Sequence, residues 1–306
     1  MRNRSIAAGY RLVWAVVRWL PERLTWAVFR LVADCVWCHR GRGVRQLETN
    51  LARVVGSEVS PARLRELSRA GLRSYLRYWL EVLRLPVMPG SRVLSQASTE
   101  GVEKVFTALG AGRGVVLALP HMGNWDHAGA WMVRSGAPFT TVVERLRPES
   151  VYNRFVALRT GLGMEVLAHT ATDNFGTLGE RLRAGRLVCL LADRDLTGSG
   201  VEVDFFGEPA RIPAGPAALA ADTGAALMPV TLWYEGRRWR IRVHEEIPVP
   251  ATGTRVGRVA AMTQAMVREF EQGIAARPQD WHMLQRLWVA DVPAASRRPG
   301  QPAGGE

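Results

Sequence analysis

The pattern of apolar and polar positions changes near residue 90. Before that point, apolar residues recur at helical spacing with arginines between them, in RQLETNLARVVG and SPARLRELSRAGLRSYLRYWLEVLRL. Ser60 followed by Pro61 predicts the start of the second helix, because serine caps a helix and proline fits its first turn. The pairs Leu85-Pro86 and Met88-Pro89 predict where this helical region ends.

After residue 90, buried-strand patterns alternate with helical patterns. Runs such as GVVLAL, FTTVVE and RLVCLLADRD are separated by stretches such as SVYNRFVALRTGLG and AGPAALAADTGA. This alternation predicts an α/β fold with a central, mostly parallel sheet flanked by helices. The stretches ALMPVTLWYE and RWRIRVHEE, joined by Gly-Arg-Arg, predict a hairpin.

Length and composition agree with one sizeable core. The chain has 306 residues, of which 47% are hydrophobic, as in globular proteins. We predict a single α/β domain over residues 91–292, and a helical region over residues 1–90 that packs on it. The Pro/Gly/Ala-rich tail over residues 293–306 has the composition of a disordered segment.

The segment from Met1 to Gly43 combines tryptophan and arginine on otherwise apolar helices. Its arginines interrupt the apolar runs, so no stretch reaches the roughly 18 residues that a transmembrane helix needs. Four tryptophans lie among these arginines: Trp14, Trp19, Trp26 and Trp37. Such a composition suits an amphipathic helix in a membrane interface, and packing on the core is a compatible alternative. The segment therefore predicts peripheral membrane docking.

The net charge is strongly positive. The chain carries 40 Lys and Arg against 28 Asp and Glu, a formal charge of +12. This balance favours anionic partners such as nucleic acid, anionic lipid or phosphorylated substrates, although an arginine-rich composition alone also produces it. The sequence has no helix-turn-helix, RNA-binding or zinc pattern, and its arginines are spread along the chain. Nucleic acid is therefore not an expected partner.

The three cysteines of the chain indicate the redox compartment in which it works. Cys35, Cys38 and Cys189 do not form a disulfide framework, and the CxxC pair lacks the second pair of ligands that a zinc site needs. We therefore expect no metal, a reducing cytoplasmic setting, and packing of Cys35 and Cys38 within an apolar helix.

The stretch ALPHMGNWDHAGAW carries the candidate chemistry. His121 lies just past a predicted strand, where open α/β sheets bind their ligands, and Asn124 is the expected cap of the next helix. The loop between them would let Asp126 turn back and fix the tautomer of the imidazole. No protein nucleophile is nearby, so we expect His121 to deprotonate a substrate hydroxyl that attacks a carbonyl. A loop histidine beside a helix-capping aspartate, without chemistry, is the alternative.

This stretch resembles the H-x-x-x-x-D signature of glycerolipid acyltransferases. PHMGNWD is similar to the branch that contains lipid A secondary acyltransferases and actinobacterial phosphatidylinositol mannoside acyltransferases. The similarity continues through ERLRPES and LLADRDLTGSGVEVDFFGEPARIPAGP, over roughly residues 5 to 292. The Arg-Asp-Leu sequence and the ERLRPES segment are closest to the mannoside enzymes.

The resemblance implies transfer of a palmitoyl chain from acyl-CoA to a mannose hydroxyl of phosphatidylinositol mannosides. Acyl-CoA would be a co-substrate and no cofactor is implied. The implied location is the anionic inner leaflet, at the cytoplasmic face of the plasma membrane. A lipid A-type or lysophospholipid acceptor is the alternative, and a membrane protein without catalysis is disfavoured by the intact His121/Asp126 pair.

The resemblance also implies roles for individual residues. His121 would be the general base and Asp126 its partner. The family's third acid, a glutamate in relatives, falls on Asp193 at a strand end, with Asp195 and Glu202 as alternatives. Glu202 is also a candidate for binding substrate.

Further candidates for binding substrate lie around this pair. Backbone N–H groups near Gly123 and Asn124 would stabilise a developing oxyanion at the helix start. Phe205 would wall an acyl channel or pack in the core. Four arginines are candidates for holding phosphates, with solvated surface positions as the alternative: Arg145, Arg147, Arg159 and Arg211.

Overall fold

A twisted sheet forms the centre of the computed structural model, which describes residues 17, 19–145, 148–169, 174–195 and 198–291. The strands are β1 Ala97–Glu100, β2 Val115–Leu119, β3 Phe139–Val143, β4 Glu165–Ala168, β5 Leu187–Leu191, β6 Val201–Phe205, β7 Glu208–Ile212, β8 Ala226–Glu235 and β9 Arg238–Val243. Within the described residues, the main sheet has the order β1-β9-β8-β2-β5-β3-β4, and β6 and β7 form a separate antiparallel pair. Neighbours in the main sheet are parallel except β8 and β9, so the predicted α/β fold and the predicted hairpin are confirmed.

Helices cover both faces of the sheet. They are α1 Glu22–His39, α2 Arg42–Val55, α3 Pro61–Arg84, α4 Gly90–Ser95, α5 Val102–Gly110, α6 Trp125–Arg134, α7 Glu149–Gly161, α8 Asn174–Arg183, α9 Gly215–Thr223 and α10 Arg255–Ala276. Short 3₁₀ turns occupy Leu85–Val87, Pro278–Asp280 and Val289–Asp291. The Oγ atom of Ser60 accepts the N–H of Arg63 at 3.3 Å, which confirms the predicted start of α3.

The core has two layers because the central strands are buried on both faces. Every residue of β2 is buried, as expected for a strand inside a parallel sheet. Val116 and Ala118 face the layer that contains α8, α9 and α10. Leu117 and Leu119 face the opposite layer, which contains α5 and α6. The single α/β domain is thus built around a sheet with apolar side chains on both sides.

The N-terminal helices α1 and α2 pack against α3. Trp37 on α1 donates its indole N–H to Ser68 on α3 at 3.0 Å, and Asp34 pairs with Arg69 and Arg73. Among the described helices, none combines the length and apolarity needed to cross a bilayer. Cys35 and Cys38 are exposed rather than packed, so that prediction is wrong. Trp14 and the tail over residues 293–306 lie outside the described residues.

Candidate active site

His121 and Asp193 meet at one edge of the sheet. His121 follows β2 and Asp193 follows β5, and these parallel neighbours end side by side. The Nδ1 atom of His121 lies 2.5 Å from Oδ1 of Asp193, and the backbone N–H of His121 donates to Oδ2 at 2.8 Å. Asp193 therefore fixes the ring through Nδ1 and leaves Nε2 as the nitrogen for a substrate.

The Asp193 carboxylate is buried and remains ionised. Its exposed fraction is 0%, and its Oδ2 also accepts the indole N–H of Trp281 at 2.9 Å. Burial alone would raise the pKa of Asp193, but the nearby His121 and the hydrogen bonds from His121 and Trp281 hold that pKa below its usual range. An ionised carboxylate at Nδ1 stabilises the imidazolium that forms when Nε2 takes up a proton.

Asp126 does not hold the ring of His121, so the predicted contact between them is wrong. Arg159 binds both oxygens of Asp126, with Nε 2.6 Å from Oδ1 and Nη2 2.9 Å from Oδ2. Tyr78 donates its hydroxyl to Oδ2 at 2.7 Å. Asp126 sits in the first turn of α6, and its side chain points to α7 and α3 while Asp193 occupies Nδ1 of His121. Asp126 and Arg159 form a buried ion pair beside the histidine.

Gly123 shapes the turn between His121 and α6. It adopts a positive φ of 59°, and a Cβ there would lie 2.8 Å from the backbone carbon of Leu232. Only glycine fits such a position without strain. Its N–H donates to the carbonyl of Asp280 at 2.8 Å, so the N–H is already committed and the predicted oxyanion role of Gly123 is wrong.

Asn124 caps α6, as predicted. Its Oδ1 accepts the N–H of His127 at 2.8 Å, and its Nδ2 donates to Oε2 of the buried Glu81 at 2.7 Å. Because both ends of this buried amide are committed, Asn124 positions the turn rather than presenting its side chain to a substrate.

The segment Asp280–His282 clamps the same turn, and sequence reasoning missed it. The N–H of His282 donates to the carbonyl of His121 at 2.7 Å, one residue after the indole bond from Trp281 to Asp193. The side chain of Ser74 donates to Asp280 at 2.7 Å and lies 3.0 Å from Nε2 of His282. The available signal was the run Asp-Trp-His itself, which lies near the end of the chain and far from His121 in sequence.

A cavity of about 810 Å³ opens beside His121. One part, here called the apolar limb, lies between the sheet and α6 and is lined mainly by apolar residues: Leu117, Leu119, Ala128, Gly129, Met132, Phe139, Thr141, Val143 and Met164. The residues Phe139, Thr141 and Val143 alternate along β3, so this limb follows the whole strand, about 13 Å at the usual rise. The volume of the whole cavity lies within the range of ordinary ligand pockets.

Polar side chains line the cavity at the carboxyl ends of the strands. Arg194 pairs with Glu144 there, and Arg194 is a cation that sequence reasoning did not select. Asp195 also lines the cavity, but its carboxylate accepts the N–H groups of Gly198 and Gly200 at 3.1 and 2.7 Å. Asp193 is thus the acid that contacts His121.

The remaining predicted binding residues lie away from the cavity lining. Glu202 and Arg211 are register partners in the β6–β7 pair, and neither residue lines the cavity. The side chain of Arg145 is 53% exposed and pairs with Glu149, the first residue of α7. Arg147 lies outside the described residues. None of Glu202, Arg145 and Arg211 lines the cavity, and their roles in binding substrate stay predictions.

The structure gives different results for the predicted binding roles of Phe205 and Arg159. Phe205 is fully buried and stacks on Trp288 with ring centroids 5.6 Å apart, so of its two predicted alternatives packing in the core is confirmed and a place in an acyl channel is wrong. Its inward position on β6 directs it to the layer under α10 instead. Arg159 does line the cavity, but its charge is neutralised by Asp126. Burial would lower the pKa of Arg159, and Asp126 more than reverses this.

Comparison with known proteins shows which family the sequence matches. A family model described as bacterial lipid A biosynthesis acyltransferase matches residues 4–290. The chain is similar to the phosphatidylinositol mannoside acyltransferase of Mycolicibacterium smegmatis, with 50% identity over 287 residues, 93% of this chain and 91% of the relative. It is equally similar to proteins of that name from two Mycobacterium tuberculosis strains, CDC 1551 / Oshkosh and H37Rv. Each is 50% identical over 295 residues, 95% of this chain and 90% of the relative.

Proposed function

Since the chain belongs to the bacterial lipid A biosynthesis acyltransferase family, we propose that it transfers a palmitoyl chain from acyl-CoA to a mannose hydroxyl of phosphatidylinositol mannosides. The observation that carries this proposal is the His121–Asp193 pair beside an apolar cavity. The names of relatives that are 50% identical over nearly the whole chain support this acceptor.

The proposed reaction begins with proton removal. The Nε2 atom of His121 takes the proton of the acceptor hydroxyl while that oxygen attacks the thioester carbonyl. Asp193 stabilises the imidazolium through Nδ1. The tetrahedral intermediate then collapses, the carbon–sulfur bond breaks, and the thiolate takes up the proton that His121 carries. The products are the acyl ester and free CoA, and no cofactor takes part.

The apolar limb would receive the acyl chain. Its lining residues on β2, β3 and α6 offer an apolar surface that begins near His121 and continues under α6. Moving an acyl chain from water to such a surface is favourable by about 0.8 kcal/mol for each methylene group. The thioester carbonyl of a chain seated there would lie at the open end of the limb, next to the histidine.

An exposed face of α1 would dock the enzyme on the anionic cytoplasmic leaflet. Five large apolar side chains share this docking face and are 43–64% exposed: Leu24, Val28, Leu31, Val32 and Val36. Their spacing places them on one side of the helix, and the exposed Arg23 and Arg30 add positive charge elsewhere on the surface of α1. Docking there would bring a lipid acceptor to the protein.

Parallel incubations test this proposal. The purified protein is given palmitoyl-CoA with a mannosylated phosphatidylinositol, with a lysophospholipid, or with a lipid A precursor, and both free CoA and acylated lipid are measured. Acylation of the mannosylated lipid alone is the expected result. Acylation of another acceptor overturns the acceptor assignment, and absence of turnover with every acceptor overturns acyl transfer from acyl-CoA.

A further inference from the structure

Gly129 lies inside α6, where glycine is unfavourable. A glycine in a helix interior costs about 0.5–1 kcal/mol relative to alanine, because its unfolded backbone is more flexible. Gly129 lines the cavity and is buried in the sheet-facing side of the helix. A side chain at this position would therefore point from α6 towards the side chains that line the sheet-facing wall of the cavity.

The flexible side chain of Met164 and the aromatic ring of Phe139 lie directly opposite Gly129. A Cβ on residue 129 would lie 2.8 Å from Cε of Met164 and 2.9 Å from Cζ of Phe139. Both residues also line the cavity. Any larger residue at position 129 would push the Met164 methyl group or the Phe139 ring toward the cavity and narrow it.

These residues form the far end of the apolar limb. Phe139 is the first residue of β3, whereas Val143, the last, lies near the edge where His121 follows β2. On α6, Trp125 lies beside the ring of His121 with centroids 5.4 Å apart, and Gly129 is about one helical turn further on, about 6 Å along the axis. Phe139 begins β3 and Met164 directly precedes β4, so both lie at the strand ends away from the reacting carbonyl, and a Cβ on residue 129 meets both of them.

We propose that Gly129, together with Phe139 and Met164, sets the longest acyl chain that the enzyme accepts. This inference rests on the proposed function, because it assigns the apolar limb to the acyl chain. Gly129 is the specificity-determining residue of the three, since its missing side chain lets Met164 and Phe139 pack against α6 and so keeps both side chains out of the room that the last methylene groups occupy.

Binding of S-alkyl coenzyme A thioethers tests the inference without catalysis. Dodecyl, tetradecyl, hexadecyl and octadecyl thioethers are titrated by calorimetry against the wild type, Gly129→Ala and Met164→Ala. Gly43→Ala is the matched control, because Gly43 is also helical but a Cβ there meets only Leu284 at an ordinary 3.6 Å. Thermal unfolding confirms that each variant folds, and alanine favours α6.

In Gly129→Ala, the ratio of hexadecyl to dodecyl affinity is expected to fall about tenfold, which corresponds to two excluded methylene groups. In Met164→Ala, the ratio of octadecyl to hexadecyl affinity is expected to rise, because the limb becomes deeper. A folded Gly129→Ala with the length profile of the wild type and Gly43→Ala overturns the inference, and so does a wild type that binds no thioether. Shifted binding without acylation of the mannosylated lipid supports the inference and overturns only the acceptor assignment.

Discussion

The ring of His121 and the carboxylate of Asp193 lie 2.5 Å apart although they are 72 positions apart in the sequence. The same carboxylate accepts the backbone N–H of His121, so one side chain holds both the ring and the backbone of the histidine. This arrangement exists because β2 and β5 are neighbours in the sheet and end at the same edge. It makes Asp193 the residue that fixes the tautomer of the proposed base.

Trp281 is expected to influence the pH dependence of the reaction through Asp193. Its indole N–H donates to Asp193 and lowers the pKa of that carboxyl. Trp281→Phe removes the bond and raises this pKa, so the Asp193 carboxylate becomes more basic and stabilises the protonated ring of His121 more strongly. The acidic limb of the kcat profile, where the proposed base takes up its proton, is therefore expected to move to higher pH. The profile of kcat against pH measures the shift.

Trp288→Phe is the matched control for Trp281→Phe. Trp288 donates its indole N–H to the carbonyl of Phe205 in the core and does not contact Asp193. Its variant is expected to keep the wild-type pH profile. Identical profiles for the two variants would contradict a role of Trp281 in holding Asp193.

The buried pair of Asp126 and Arg159 is expected to act through stability. Arg159→Met leaves the buried Asp126 carboxylate with Tyr78 alone, and breaking such a pair costs about 3–5 kcal/mol in the free energy of unfolding. The double variant Asp126→Asn/Arg159→Met is expected to lose less, because neither charge is left unpaired. Urea denaturation of the three proteins measures this. A double variant less stable than Arg159→Met would refute the account.

His127 is expected to lower stability in acid. Burial lowers the pKa of His127 to about 3 from 6.5, and its ring stacks on Trp239 with no hydrogen-bond partner for either nitrogen among the described residues. Between these two pKa values the unfolded chain binds a proton that the folded chain does not, so stability falls as the pH falls through this window.

His127→Phe removes that contribution while keeping an aromatic ring on Trp239. The variant is expected to be at least as stable as the wild type at neutral pH and to lose less stability between pH 6.5 and pH 4. Thermal unfolding at several pH values provides the measurement. A variant that loses stability in acid as steeply as the wild type would show that His127 is not the source.

The docking face of α1 is expected to govern vesicle binding. Val28→Glu/Leu31→Glu places two negative charges on this face and is expected to weaken binding to anionic vesicles at least tenfold, because apolar contact and charge attraction are both lost. Val256→Glu is the control, since Val256 is 75% exposed on α10, outside the docking face. Sedimentation with vesicles compares them. Equal losses in both proteins would contradict docking through α1.

Local patterns predicted the elements but not the partner of the proposed base. His121 was predicted from its place after a buried strand, and the caps formed by Ser60 and Asn124 followed from short-range chemistry. Asp126 was the expected partner because it is near His121 in sequence. The turn and the start of α6 instead direct the Asp126 carboxylate to Arg159. The contact with Asp193 depends on which strands are neighbours, and apolar periodicity does not state that order.

The sequence also did not predict against which layer of the fold the side chains of a strand pack. The sequence left open whether Phe205 walls an acyl channel or packs in the core, and its place in the core depends on the packing of β6 under α10. The Asp280–His282 clamp depends on a chain reversal after α10 that brings this segment against the His121 turn. Such features require the packing of distant elements, which no single window of sequence contains.

The most direct test of the account is acyl transfer by His121→Ala and Asp193→Asn. Each variant is incubated with palmitoyl-CoA and a mannosylated phosphatidylinositol, and acylated lipid is measured after circular dichroism has confirmed folding. Loss of transfer is expected for His121→Ala, and a fall of kcat of about 10⁴-fold for Asp193→Asn, because the amide no longer favours the reactive tautomer. A folded His121→Ala that retains more than about a tenth of the wild-type rate, far above the loss expected for removing a general base, would contradict the account.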